Sequence, residues 1–335
     1  MDREQEDVQF LGFFGIFKES LKIIFSWKRI FTQITLSLIL PLSFIFLAHI
    51  QVSHLLFIKI LKNEYALYYT REGTKNYANL SDTLSAEWAA FWLFKVFYFT
   101  FLLVLSLLST SAAVYTVACI YTAKEIAFRK VMSVVPRVWK RLIVTFLWSF
   151  ALVLVYNFVS AALFYPWARY YGLNGGTGIA IFIALVILYL IGFIYISIVW
   201  HLASVISVLE NSYGIKAMIK SRRLIKGKMG AAVAIFFTVA ACFVGVELLF
   251  ENFVVASSVS GRNMGISIPV GIVCLFLLCT VFLFGLVVQT VIYFVCKSYH
   301  HESIDKSSLA DHLEVYLGEY VPLKARDVQL GEVHV

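Results

Sequence analysis

Apolar and polar positions alternate in long blocks along this chain. Six runs are almost entirely apolar: Ile30–Ile50, Ala89–Tyr121, Leu142–Tyr165, Gly178–Leu209, Gly230–Phe250 and Ile266–Cys296. A helix needs about 20 residues to cross a hydrocarbon core roughly 30 Å thick, and every run is long enough. The second, fourth and sixth exceed that need, which predicts tilt or projection beyond the bilayer. Pro41 falls inside the first run, where it predicts a kink or a local adjustment of the helix. The pattern predicts an all-α fold, a polytopic membrane protein with six transmembrane helices in three hairpins and cytosolic amphipathic helices between them.

The segments between the runs have a pattern of their own. Phe10, Phe14, Phe17, Leu21 and Phe25 recur at three- and four-residue spacing, and Lys18, Glu19, Lys22 and Ser26 take the opposite side. That is an amphipathic helix, lying either at the membrane interface or against the bundle. A second basic segment runs from Phe128 to Arg141, and a third from Ile215 to Lys228 after a turn through Asn211-Ser212-Tyr213-Gly214. Each of the three precedes a hairpin, so the chain reads as a threefold repeat of pattern. The divisions follow: 1–29 a cytosolic interfacial helix, 30–296 the six-helix domain, and 297–335 a cytosolic tail.

Composition supports the membrane reading. The chain is 61% hydrophobic and 14% charged, with a mean hydropathy of +0.84, whereas soluble domains run near half apolar and a quarter charged. The net charge of +8 does not imply nucleic acid, because the basic residues lie beside apolar runs, where anionic headgroups account for them. Loop charge orients the chain. Twenty-one Lys and Arg fall on the side of both termini and six on the other, which places N- and C-termini in the cytosol. The triplet Asn79-Leu80-Ser81 makes Asn79 a glycosylation candidate, in a first outer loop expected to be long. All five cysteines lie in or at the ends of apolar runs without paired spacing, so neither disulfides nor a zinc site is expected. Cys296, beside Lys297 at a membrane edge, is an acylation candidate or an ordinary small apolar residue.

Polar residues inside the runs are few. Lys95 and Glu247 each lie near the outer end of a span, and they either pair across helices or snorkel separately to the interface. His201, Gln289, Asn157 and Gln33 are the other polar side chains at depth, and interhelical hydrogen bonds explain them better than a proton relay. Ser109/Ala113 and Ala241/Gly245 put small residues at four-residue spacing, which suits close helix contact. The glycine-rich stretch 172–178 lacks the Lys-Ser/Thr of a phosphate loop and reads as a hairpin turn. No metal or cofactor is expected, since His300-His301 lack companion ligands. The six cations Lys216, Lys220, Arg222, Arg223, Lys226 and Lys228 stand without a nearby acid. They are a candidate site for anionic lipid headgroups, or serve topology alone. In the tail, Ser308 and Asp311 predict a short helix. Tyr320-Val321-Pro322-Leu323 fits a tyrosine sorting signal, with Tyr320 and Leu323 as its anchors and a cytosolic protein as its partner.

The stretch containing Trp200, Glu210, Gly214, Ala217, Ser221, Leu224 and Lys226-Gly227 resembles a motif of bacterial six-span membrane domains, among them the one attached to some glycerophosphoryl diester phosphodiesterases. The whole chain, including Lys297-Ser-Tyr-His-His and the tail around Tyr316–Lys324, resembles a plant family of uncharacterised six-span integral membrane proteins. The resemblance implies the six-span fold. It carries no activity, because the phosphodiesterase barrel is missing, and it implies a structural role for Glu210 and Ser221, with Glu210 bonded to the following turn or paired with Arg222 or Arg223. The expected function is that of a non-enzymatic protein of the endomembrane system or plasma membrane. It would act in membrane organisation or trafficking through its basic surface, with membrane lipids as partners. The alternative is a transporter or channel for a small solute.

Overall fold

A computed structural model describes residues 10–122, 127–172, 175–257 and 264–300. The predicted tail helix and the sorting-signal candidates Tyr320 and Leu323 lie outside the described residues. The structure is 91% helical, with no strand among the described residues. In chain order the helices are α1 (Phe13–Ser26), α2 (Lys28–Tyr68), α3 (Lys75–Tyr121), α4 (Phe128–Tyr170), α5 (Gly176–Leu209), α6 (Ile215–Leu224), α7 (Met229–Val255) and α8 (Met264–Tyr299). Six of them, α2, α3, α4, α5, α7 and α8, are long and apolar enough to cross a membrane.

α2 runs through Pro41 without breaking, because Thr35–Ile39 winds as a π-helical stretch just before it. The wider turn makes room for the proline ring and for the hydrogen bond its nitrogen does not donate. A second π-stretch, Glu251–Val255, ends α7.

The long first loop expected from the sequence is not a loop. α2 continues to Tyr68 and α3 begins at Lys75, so only residues 69–74 connect them. α3 has 47 residues, which is about 70 Å at 1.5 Å per residue, so the α2–α3 hairpin outreaches the hydrocarbon core by far. Polar composition hid this extension, because a helical pair outside hydrocarbon needs only a narrow apolar seam and a few cross-links. One such link is Glu87, which accepts two hydrogen bonds from Asn63 at 2.8 and 2.9 Å and pairs with Lys59 at 3.1 Å. Asn79 is exposed early in α3, near the tip of this hairpin, and its carbonyl accepts the Thr83 hydroxyl.

Packing is concentrated at one end of the bundle, called here the basic end. The main core joins Ile16 and Ile23 of α1, Phe31 and Ile34 of α2, Val114–Cys119 of α3, Val131–Leu142 of α4, Ile198–Leu209 of α5 and Val287–Cys296 of α8. A smaller cluster at the far end unites Leu47, Val246, Phe250, Cys274 and Leu278, so α2, α7 and α8 stay together along their length. The α4–α5 hairpin does not join them there. In α5, no residue between Gly178 and Ser197 is buried, and that hairpin is held by its own bonds, such as Tyr156 Oη donating to the Tyr189 carbonyl at 2.8 Å.

The three basic segments take three different forms. The second continues straight into α4, and the third is the separate helix α6. The first, α1, is a separate helix packed along α8. Its Phe17 ring lies 4.5 Å from Phe284, about 22 Å along α8 from Tyr299. α1 buries Ile16, Glu19, Ser20 and Ile23 and leaves Phe14 and Phe25 outward, 84% and 71% exposed. One face of this helix packs on the bundle, and the Phe14 and Phe25 rings stay exposed on the other.

Candidate functional site

The basic end is built around α6. Glu210 ends α5, and the chain turns at Gly214, whose backbone (φ +63°) lies in the region that favours glycine. The Gly214 N–H donates to Thr145 Oγ1 at 2.8 Å, and Thr145 lies 2.7 Å from Ser207 Oγ, tying the turn to α4 and α5. α6 then lies against the bundle with Ala217, Met218, Ser221 and Leu224 buried. The Ser221 hydroxyl donates to the Val199 carbonyl of α5 at 2.8 Å, a contact 22 residues apart in sequence. At the other end of α6, His300 Nε2 donates to the carbonyls of Leu224 and Lys226 at 3.0 Å, satisfying acceptors that a helix C-terminus leaves open. Gly227 (φ +93°) brings the chain round beneath the Tyr299 ring, over which Lys228 Nζ sits 5.3 Å from the centroid.

Glu210 is the junction of this end. Its Oε1 accepts from Tyr293 Oη at 2.7 Å and from Lys297 Nζ at 3.4 Å, and its Oε2 pairs with Lys220 Nζ at 2.7 Å. Lys297 also donates to Tyr293 Oη at 3.3 Å. Burial pushes the carboxyl pKa up, but the hydrogen bonds from Lys220 and Tyr293 and the charges of Lys297 and Lys220 outweigh it and hold the group below its ordinary value. The pairing with Arg222 or Arg223 implied by the resemblance is thereby corrected. Those two arginines face away on the exposed side of α6, whereas Lys220 lies on the side that meets α5 and α8.

The six cations of this segment separate into two groups. Lys220 is consumed by Glu210, and Lys228 is half-buried against Tyr299. Lys216, Arg222, Arg223 and Lys226 are exposed and make no ion pair among the described residues. Between them stand Tyr213, Ile215 and Ile219, all about half exposed. Apolar side chains interleaved with unpaired cations on one exposed helix face suit the headgroup boundary of a membrane.

Lys95 and Glu247 are not brought together. Lys95 Nζ lies 2.8 Å from His49 Nε2 and 5.2 Å from the Phe91 ring centroid. His49 is itself stacked on Tyr98. Lys95 is turned instead to α2, which shares the Leu47–Val246–Phe250 cluster with α7. The extension of α3 also puts Lys95 some 30 Å from the start of that helix, not close to its end.

Below α6, helices α3, α5, α7 and α8, with Leu42 of α2 and Leu142 and Phe146 of α4, line a half-open cavity of about 440 Å³, with Ile225 at its basic end. The interhelical hydrogen bond expected of the deep histidine is present: His201 Nδ1 and Gln289 Oε1 are 3.1 Å apart, on the cavity wall. Asn157 likewise accepts from Tyr189 Oη at 3.2 Å. Of the small-residue pairs, Ser109 and Ala113 are fully buried, while Ala241 is exposed and Gly245 has open space around it. Cys296 is fully buried, which takes away the access that acylation needs, and Cys242 is the one exposed cysteine. No cluster of three or more His, Cys, Asp or Glu side chains suited to a metal occurs among the described residues.

The cavity and the Glu210 junction escaped the sequence reading for the same reason. Both join residues more than 80 positions apart, and no local spacing signals such a meeting. Neither a curated protein nor a solved structure matches the chain. A family model, "Domain of unknown function (DUF8558)", matches residues 1–333, and the chain belongs to that family.

Proposed function

We propose that this is a non-enzymatic multi-pass membrane protein that organises or sorts membrane through its basic end, which faces the cytosol and engages anionic lipid headgroups. The observation that carries this reading is the outer face of α6 and its flanking turns, where Lys216, Arg222, Arg223 and Lys226 make no ion pair among the described residues and stand among exposed Tyr213, Ile215 and Ile219. Each such cation near an anionic leaflet is worth about 1 kcal/mol. The exposed phenyl rings of α1, alternating with Lys18 and Lys22, extend the same kind of surface. The excess of Lys and Arg on the side of both termini supports the cytosolic placement.

Native mass spectrometry of the purified protein tests this. Changing Lys216, Arg222, Arg223 and Lys226 to Gln is expected to cut retained phosphatidylserine or phosphoinositide at least tenfold, with phosphatidylcholine unchanged. Equal retention of anionic lipid by the two proteins would reduce these charges to topology signals. Lys220 is left intact because it belongs to the Glu210 junction.

A second reading, a carrier for a small solute, rests on the cavity. Its largely apolar lining suits a lipid better than an ion or sugar.

A further inference from the structure

The cavity beneath α6 has a composition that selects its occupant. Its volume of about 440 Å³ lies within the range of small-molecule sites. Leu107, Leu202, Ile235, Phe236, Phe243 and Phe282 supply much of the wall, and the lining has no Lys, Arg, Asp or Glu. A charged head would be left there without a counter-ion in a medium of low dielectric, so the occupant is neutral.

Polar groups are few on the wall, and besides the Ser106 hydroxyl and the Trp200 indole N–H three of its hydroxyls are spent. Ser109 donates to the Leu105 carbonyl, Thr110 to Ser106 and Ser204 to Trp200, each within its own helix. His201 and Gln289 are different. A carboxamide oxygen only accepts, so the neutral imidazole carries its proton on Nδ1 toward Gln289 Oε1. That leaves His201 Nε2 as an acceptor and the Gln289 amide nitrogen as a donor, and neither has a partner among the described residues. His201 is exposed to the cavity, about 12 Å along α5 from its Leu209 end.

An unused acceptor on an apolar wall matches a hydroxyl, which donates to it. We propose that this cavity is a binding site for a neutral membrane lipid bearing one hydroxyl group, its hydroxyl donating to His201 Nε2 and its hydrocarbon body against α3, α7 and α8. A sterol and a long-chain alcohol share this chemistry. The site is separate from the basic face and does not depend on headgroup binding there.

Photolabelling of the full chain in phosphatidylcholine vesicles tests the proposal. Two probes are used, a diazirine-bearing sterol and a diazirine-bearing long-chain alcohol. At least one is expected to label peptides of α3, α7 or α8 that line the cavity, and which one labels identifies the source of the hydroxyl. The methyl ether of the labelling probe's parent lipid, which cannot donate to His201, is expected to compete about tenfold less well than the free alcohol, since a site built around a hydroxyl rejects the analogue that lacks it. Gln289→Leu, which removes the acceptor that keeps the His201 proton on Nδ1 and Nε2 free to accept, and Ala240→Phe, which fills the cavity from another wall, are each expected to reduce labelling about tenfold. The competition uses the wild-type chain, so its result stands even if a variant folds poorly. Absence of site-specific labelling by both probes, or equal competition by the methyl ether, would overturn the assignment.

Discussion

Glu210→Gln is expected to destabilise the folded chain by about 2–3 kcal/mol, the cost of removing one partner from a largely buried, hydrogen-bonded charge cluster. The carboxylate receives Tyr293 Oη and Lys297 Nζ on one oxygen and Lys220 Nζ on the other. These three groups come from α8 and α6, so Glu210 is where the end of α5 is fastened to both. The neutral amide keeps the shape but leaves Lys297, mostly buried, without its counter-ion. The pH dependence gives an independent check. The folded-state pKa of Glu210 lies below its ordinary value of 4.5, so the unfolded chain binds this proton first as pH falls. The stabilisation from Glu210 is therefore fully present above the ordinary value and is lost as pH falls through the lower folded value. Thermal midpoints followed by tryptophan fluorescence are expected to differ most between wild type and variant at neutral pH, and to converge only in acid below pH 4.5. A constant gap across that range would place the effect elsewhere than in the ionised carboxylate.

Gly214→Val is expected to cost about 2–4 kcal/mol, combining a backbone conformation that L-residues rarely adopt with overpacking. At φ +63° and ψ −136° the backbone is in glycine territory. A Cβ there would approach Trp148 Cδ1 at 3.1 Å and Val144 Cγ1 at 3.4 Å. Valine adds two methyl groups to that contact and pushes the turn off Thr145, breaking the 2.8 Å bond that anchors it. Because this turn sets the direction of α6, the damage should extend beyond stability. Hydrogen exchange is expected to show the α6 amides losing protection while the α2–α3 hairpin keeps its own. Unchanged protection across α6 would mean that the turn does not govern the placement of that helix.

Much of the architecture is legible in the pattern of the chain. The six apolar runs each lie within one of the six long helices, and the turn at residues 211–214 precedes a separate basic helix where the charge pattern puts it. The errors share a cause. Residues 51–88 are polar enough to resemble a loop, yet they form two packed helices whose links, such as Asn63 to Glu87, are not visible along the sequence. Lys95 and Glu247 were candidates for pairing because both seemed to lie near the same membrane surface. Which partner Lys95 meets depends on packing, and His49 of α2 takes that place. For the site, sequence identified the basic segment as a unit but not its division. Only the fold shows that Lys220 faces inward to Glu210 while Lys216, Arg222, Arg223 and Lys226 face out. The sequence marks His201 and Gln289 as hydrogen-bonding residues, but the cavity beside them arises from how six helices meet.

The division of the basic face offers the most direct measurement of the proposed lipid role. Thermal midpoints of wild type, Lys220→Gln and the quadruple Gln variant at Lys216, Arg222, Arg223 and Lys226 would be followed while phosphatidylserine is titrated into neutral-detergent micelles. A ligand that binds the folded state raises its stability in proportion to the logarithm of its excess over Kd. The expected result is a lower starting midpoint for Lys220→Gln with the lipid-dependent rise intact, and a near-wild-type starting midpoint for the quadruple variant with the rise abolished. A quadruple variant that gains as much from phosphatidylserine as the wild type would contradict headgroup binding by the exposed face of α6.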